Sequence, residues 1–414
     1  MKKRKSLSVL FFIVFSGLLI GQDTVLTISD AVDYAYNSNT MLQQMKAQLD
    51  QDRERWRTET GLSTPEISYF REGISTIPES VFEEQRIAVS QEIDFPLTTV
   101  YRLKGVKKEA RAMELRIQAE KRNIRAEVKK AYINVIYARY LQVLREEQLS
   151  IATELYNAVY TRLESGMATG VDLANAELQK EQAMNALDEA EWVLHEARYG
   201  LFNSMGLPSD DQKYTIAFSD TLRSSDVMIS QVQSLDLQSE QPEYRAVELD
   251  RSAAEYFLKE AKSNSLPDIN INLYKQDYGE GYNYSGFEIG VSIPLWYPFE
   301  QKGKVNMAKA ELNKLGWRQT EVELDIKKNI EYAWHNYSVT RRIMNRYNEA
   351  MREKAGKLRA MALRSYQIGE IDLLELLNAQ QTYINSRMNY LTALRNYYRQ
   401  LADLEKYLDT ELVY

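Results

Sequence analysis

At 414 residues with 44% hydrophobic side chains, the chain is long enough to bury a large core, yet 27% charged residues and only 8 prolines suit long solvated helices better than a compact α/β enzyme. The 52 basic and 59 acidic residues leave a net charge of −7, which gives no reason to expect a nucleic-acid partner. Cysteine is absent, which excludes a structural disulfide and an acylated N-terminal cysteine.

The chain opens on Lys2, Lys3, Arg4 and Lys5, followed by an apolar run from Leu7 to Ile20. That order predicts a secretory signal peptide over 1–21, cut near Gly21–Gln22. The run is shorter than the roughly 20 apolar residues of a spanning helix. No later stretch is long and apolar enough to span a bilayer as a helix.

Two repeats follow, expected over 22–208 and 242–408 and joined by 209–241, with 409–414 as a tail. Each begins with a polar helix, Ala31–Glu59 or Glu243–Asn264. Two alternating stretches come next, at about 65–72 and 85–95 in the first repeat and 267–275 and 286–294 in the second. A turn around Pro96 or Pro294 leads into a long charged helix, Arg102–Leu163 or Val305–Ile368. These helices end at Gly166 and Gly369, and a second long helix returns. Corresponding prolines and glycines lie roughly 200 residues apart, too far for a solenoid unit, so one module is duplicated.

The alternating stretches read as β-strands. Ile87, Val89, Ile93 and Phe95 share one face, against Ala88, Ser90, Glu92 and Asp94, with Gln91 a polar exception on the apolar side. Ile269, Ile271 and Leu273 alternate with Asn270, Asn272 and Tyr274. Phe287, Ile289, Val291 and Ile293 alternate with Glu288, Gly290 and Ser292. Such strands build either a soluble half-buried sheet or the wall of a membrane barrel, with lipid on the apolar face and water on the other. The helices are too polar to cover an apolar sheet, which favours the barrel. A membrane barrel needs at least about eight strands, so four would require several chains.

The long helices carry heptad seams. Leu141, Leu144, Ile151, Leu155 and Ala158 form one, and Ile330, Ala333, Tyr337, Met344, Tyr347, Met351, Leu358 and Met361 another. Ile384, Leu391 and Tyr398, flanked by Leu394, Leu401 and Leu408, continue the pattern on the last helix. The hairpin tips fall at about 163–170 and 366–372. There a left-handed glycine ends one helix, and Thr169 or Asp372 caps the next.

These motifs together resemble the TolC family of outer-membrane efflux ducts. The resemblance rests on Tyr160, Gly166, Thr169, Asp172, Leu173 and Ala176 at the first tip and on Tyr366, Gly369, Glu375, Leu376, Leu377 and Ala379 at the second. Ser90–Pro96, Gly290–Leu295 and Gln301–Gly303 add to it. The Gly290–Leu295 segment, with the glycine that follows, looks most like the CzcC-type branch serving heavy-metal efflux. The resemblance implies a mainly α fold with a small β part. It implies a homotrimer whose three chains contribute four strands each to a twelve-stranded barrel in the outer membrane, above a long periplasmic coiled-coil tunnel. It also implies a periplasmic adaptor (membrane fusion) protein docked on the tips and an inner-membrane pump of the RND type. The docking residues are then Leu163, Gly166, Met167, Thr169, Tyr366, Gly369 and Ile371. The tunnel constriction is Glu375, with Asn378 where the family commonly has Asp, and the tip acid Asp172. Ile371 stands where some members carry an Arg that pairs with that acid. Lipid contact falls to Ile87, Val89, Ile93, Ile269, Ile271, Phe287, Ile289 and Val291, and the lumen to Ser90, Glu92, Glu288 and Ser292. The segment 209–241 matches the family's equatorial collar, with a short strand at Tyr214–Phe218.

Other readings stay open at this stage. A duct for polypeptide secretion shares the same architecture, and a periplasmic structural coiled coil would explain the helices but not the strands. An enzyme is disfavoured. His195 and His335 each sit in mid-helix, and the sequence holds no P-loop, GxGxxG or zinc-type spacing. No catalytic residue, metal site or cofactor is expected.

Overall fold

The computed structural model describes residues 24–73, 83–208, 214–216, 238–278, 282–293, 299–347, 349–408 and 411–413. The expected signal segment, the loop at Gly279–Gly281, the turn residues Pro294 and Leu295 and most of 209–241 lie outside them.

In chain order, β1 (Thr24–Leu26) leads into α1 (Ile28–Ser38) and α2 (Thr40–Thr58). The single polar helix expected over 31–59 is therefore two. Asn39 breaks it by taking an extended backbone, and its side chain accepts the Leu42 N–H at 3.0 Å as the cap of α2. Strands β2 (Glu66–Glu72) and β3 (Glu84–Ile93) precede α3, Pro96–Glu164. Pro96 suits the first helical turn because its missing N–H would be unpaired there anyway. Nothing after it breaks the helix, so α3 runs 69 residues, roughly 100 Å. Helix α4 (Gly170–Met205) returns beside it. Then come β4 (Tyr214–Ile216), a 3-10 turn at Gln238–Glu240 and α5 (Pro242–Ser263). Strands β5 (Asp268–Asp277) and β6 (Asn283–Ser292) precede α6 (Glu300–Arg346), α7 (Glu349–Gln367) and α8 (Leu373–Leu408). The second long helix is thus also interrupted, near Tyr347. Gly316 and Gly356 lie inside helices on either side of that break.

Helix packing follows the heptads. Ala176, Ala183 and Ala190, every seventh residue of α4, are buried, and α4 runs beside α3. Small residues at that spacing let two long helices approach closely. Leu144, Ile151 and Leu155 of α3 are buried as the seam predicts, as are Ile330, Ala333, Tyr337 and Met344 of α6. The lower part of that second seam differs. Met351, Leu358 and Met361 of α7 stay exposed.

The largest core lies where α1, α3, α6, α8 and the end of α4 meet. Tyr132, Tyr337, Tyr397, Phe202 and Met205 fill it, and the Tyr132 hydroxyl donates to the Leu26 carbonyl at 2.9 Å. β1 pairs in parallel with β4 beside it, Thr24 opposite Tyr214. A buried ion pair sits at the same level. Lys129 donates to both Glu405 oxygens at 2.8 and 3.1 Å, to Glu411 at 3.0 Å and to the Val413 carbonyl at 2.6 Å. Glu405 also accepts the Leu412 and Val413 N–H groups, each at 3.2 Å. The pair ties α3 to α8 and folds the segment after α8 against them.

The remaining strands form one antiparallel sheet in the order β2-β3-β5-β6. Hairpins pair β2 with β3 and β5 with β6, and β3 pairs with β5 across the repeats, Val89 opposite Leu273. The edges of the sheet are β2 and β6.

Candidate functional site

Two places carry the features a duct would need: the sheet, and the two hairpin tips. In the sheet the ladder registers align the apolar positions into rows across the strands. Ile67, Val89, Leu273 and Phe287 form one row, and Gln91, Ile271 and Ile289 the next. Ile93, Ile269 and Val291 form a third. All lie on one face. Phe287, Ile289 and Val291 are 71%, 65% and 63% exposed, so a wide apolar surface is left uncovered among the described residues. Ile87 and Val89 are exposed as well, whereas Ile93, Ile269 and Ile271 are half-buried. Gln91, the polar residue on this face, folds onto the adjoining loop. Its amide donates to the Ser63 and Glu92 carbonyls, each at 2.8 Å, so its N–H groups find partners within the protein. Tyr69, Ile87, Lys275 and Ser285 make the outermost apolar-to-polar row.

The opposite face is mostly polar, with Phe70, Tyr274 and Tyr284 as its aromatic residues. Glu66, Ser90, Asn272 and Glu288 share a row, and Glu92, Asn270 and Gly290 share another. Among the described residues, no helix is long and apolar enough to cross a membrane.

The tips have the same backbone design. Gly166 (φ 73°) and Gly369 (φ 83°) adopt the left-handed conformation that closes a helix. Met167 N–H returns to the Arg162 carbonyl at 2.7 Å, and Glu370 N–H to that of Ser365 at 2.9 Å. Thr169 then caps α4 by accepting the Asp172 N–H at 3.2 Å, while the Asp172 carboxylate accepts the Thr169 N–H at 2.8 Å. Asp372 caps α8 by accepting the Glu375 N–H at 2.8 Å.

The residues expected at the tips differ in placement. Gly166, Met167, Thr169 and Gly369 are exposed, and Leu163 and Ile371 half-buried. Tyr366 is only 3% exposed, packed with Leu155, Val159, Ala176 and Leu376. Burial pushes its hydroxyl pKa up, against the lowering influence of Arg162. Its ring therefore supports the tip from within and does not present itself to a partner. Glu375 and Asn378 are exposed on α8. The Asp172 carboxylate is turned back onto its own helix start and does not stand free beside them.

Sequence reasoning missed Arg162. Its guanidinium donates to the Tyr366 carbonyl and to that of Met167, and lies 4.5 Å from the Tyr366 ring centroid. It fastens the first tip to the second in a chain where Ile371 cannot. It also missed three exposed apolar residues, Val171, Ile368 and Leu374. A signal existed: Val171 and Leu374 fall off the buried faces marked by Ala176 and Leu376.

Among the described residues no group of His, Cys, Asp or Glu is arranged to hold a metal ion. The comparisons with known proteins agree with the architecture. The family described as "Outer membrane efflux protein" matches residues 31–207 and again 235–410, once per repeat. The cobalt-zinc-cadmium resistance protein CzcC of Cupriavidus metallidurans is 23% identical over 393 residues, covering 92% of this chain and 90% of that protein. The outer membrane efflux protein BepC of Brucella suis is 24% identical over 288 residues, covering 66% of this chain and 62% of that protein. The outer-membrane channel OprN superposes with a TM-score of 0.77 at 15% identity, covering 92% of this chain and 89% of that one. The chain belongs to the outer membrane efflux protein family, the outer-membrane ducts of tripartite efflux systems, and to a family of channels, not of enzymes.

Proposed function

We propose that three copies of this chain close one twelve-stranded barrel, and that their helices line a continuous tunnel below it. The observation that carries this reading is the four-stranded sheet, which among the described residues has two open edges and one exposed apolar face. Alone, such a sheet leaves its edge hydrogen bonds unpaired and its apolar face in water. Three sheets joined edge to edge in a bilayer satisfy both. The helices support the same assembly. On α4, Val171, Leu178, Trp192 and Tyr199 form an exposed stripe at heptad spacing, opposite the buried alanines. Trp317 and Leu324 of α6 lie seven residues apart and are also exposed. These are seams awaiting helices of a neighbouring copy.

In this reading the tips dock a periplasmic adaptor, which connects the duct to an inner-membrane pump of the RND type. Met167, Val171, Ile368 and Leu374 supply the apolar contact. The cargo is a small solute or metal cation. Likeness to CzcC supports the metal cation, as does the exposed Glu375 just inside the second tip. Mass measurement of the purified complex in detergent tests the assembly. A trimer is expected, and a stable monomer would overturn it. A Gly166→Glu, Gly369→Glu double variant tests the tips. It is expected to assemble yet lose export, and normal export would remove the tips from the mechanism.

A further inference from the structure

On the polar face of the sheet, just inside the row of large side chains Phe70, Arg86, Gln276 and Tyr284, lies a row of a different kind. Ser68, Ala88, Tyr274 and Gly286 stand opposite one another across the four strands. Tyr274 is the one large side chain among three small ones. Gly286 needs no unusual backbone, since it is absent from the positive-φ glycines. What it supplies is room. A Cβ at Gly286 would lie 2.5 Å from Tyr274 Cζ and 2.6 Å from its hydroxyl oxygen. The ring therefore lies along the wall, across the glycine of the next strand. Glycine within a strand commonly marks such a close approach.

We infer that Gly286 sets the bore of the barrel by letting Tyr274 lie flat. This rests on the barrel reading above, in which the polar face lines the lumen. Twelve strands about 4.8 Å apart, tilted about 40°, give a wall of roughly 12 Å radius. A tyrosine side chain standing off that wall reaches roughly 6 Å inward, about half the radius. Three rings, one per chain at one height, would then crowd the passage. Any side chain at position 286 displaces the ring from the glycine. The direction left to it is the lumen, because both neighbouring strands occupy the wall. The row is thus a size filter for whatever leaves through the barrel.

The test is polymer exclusion in planar bilayers. Poly(ethylene glycol) of graded size is added on the barrel side, and the largest size that still lowers the current is recorded. Gly286→Val is expected to shift that limit to smaller polymers, and the milder Gly286→Ala to shift it less. Tyr274→Ala is expected to raise it. The decisive variant is Gly286→Val with Tyr274→Ala, which is expected to recover at least the parent limit. A limit unchanged by both Gly286 variants in an intact trimer would overturn the inference, as would narrowing that persists without the ring. A merely structural glycine would lower trimer stability while leaving the limit unmoved. Absence of any channel in the parent protein would instead count against the barrel reading itself.

Discussion

Replacing Ile289 with Arg probes the proposed lipid face most directly. Ile289 shares its row with Ile271, between the row of Val89 and Phe287 and that of Ile93 and Val291. Rows on one face of a strand are about 6.7 Å apart along the chain, or roughly 5 Å in height after a tilt of about 40°. The apolar rows from Ile293 to Ile87 then span roughly 20 Å, close to the apolar band of about 25 Å in such barrels. Ile289 lies near the middle of that band, where an arginine costs about 2–4 kcal/mol per chain. Ser285, two rows further out beside Lys275, lies where the same substitution costs about 0–1 kcal/mol. Ser292 faces the polar side, and an arginine there meets water. The expected order of damage is Ile289→Arg, then Ser285→Arg, then Ser292→Arg, read as the loss of heat-resistant trimer in detergent and of protein in the outer-membrane fraction. Three copies per barrel multiply the difference. Harmless Ile289→Arg beside damaging Ser292→Arg would show that the faces are assigned backwards.

Three further outcomes follow from the tips and the equator. Arg162→Gln removes the guanidinium from two carbonyls and a ring, worth about 1–2 kcal/mol, so amide exchange at Gly369 and Glu370 should quicken roughly 5- to 30-fold. Unchanged exchange there would mean that the two tips are held by packing alone. Glu375→Gln should weaken cation preference and block by multivalent cations in single-channel recordings, because a carboxylate ring draws cations. An unaltered recording would place Glu375 on the outer surface. Lys129→Met leaves Glu405 buried without its main partner and should cost about 3–5 kcal/mol, seen as a lower dissociation temperature. Adding Glu405→Met should restore much of that loss, and a double variant no better than the single would refute the pairing argument.

Much of this molecule is legible in single residues because its elements are long and periodic. The alternation around Val89 and Ile289 marks strands at a period of two, and it survives because one face is kept apolar. Gly166 and Gly369 mark the turns because only glycine takes that backbone without strain. What was not legible depends on partners far away in sequence. Lys129 reads as one more charge on a charged helix until Glu405 arrives from the other repeat. Arg162 and Tyr366 look like separate exposed tip residues, yet one covers the other, and so the tyrosine is buried. The break at Asn39 was missed because the apolar period runs on through it, while an Asn cap is a local competitor that period-counting does not weigh. The three-residue strand β1 is too short to show any period at all, whereas β4 (Tyr214–Ile216) falls within the short strand that the resemblance implied at Tyr214–Phe218.

The unsatisfied surfaces of the single chain share one solution. Among the described residues, the sheet lacks partners at β2 and β6, its apolar face lacks a covering layer, and the α4 and α6 stripes lack opposing helices. Each deficit alone would admit several remedies. A soluble dimer could pair two sheet edges, but it would leave two others open and the apolar face wet. A helical bundle could cover Trp192 and Trp317, but it would do nothing for Ile289. In the proposed trimer, a threefold rotation about an axis along the tunnel would close the sheet edges in pairs, turn every apolar strand face outward to lipid, and bring α4 of one copy against a neighbour's helices. The alanines at 176, 183 and 190 complete the argument, since the buried side of α4 uses small side chains while the stripe on its opposite side keeps tryptophan and tyrosine. In the proposed trimer another copy would remove these large aromatic side chains from water, and that same removal would couple barrel closure above to tunnel assembly below.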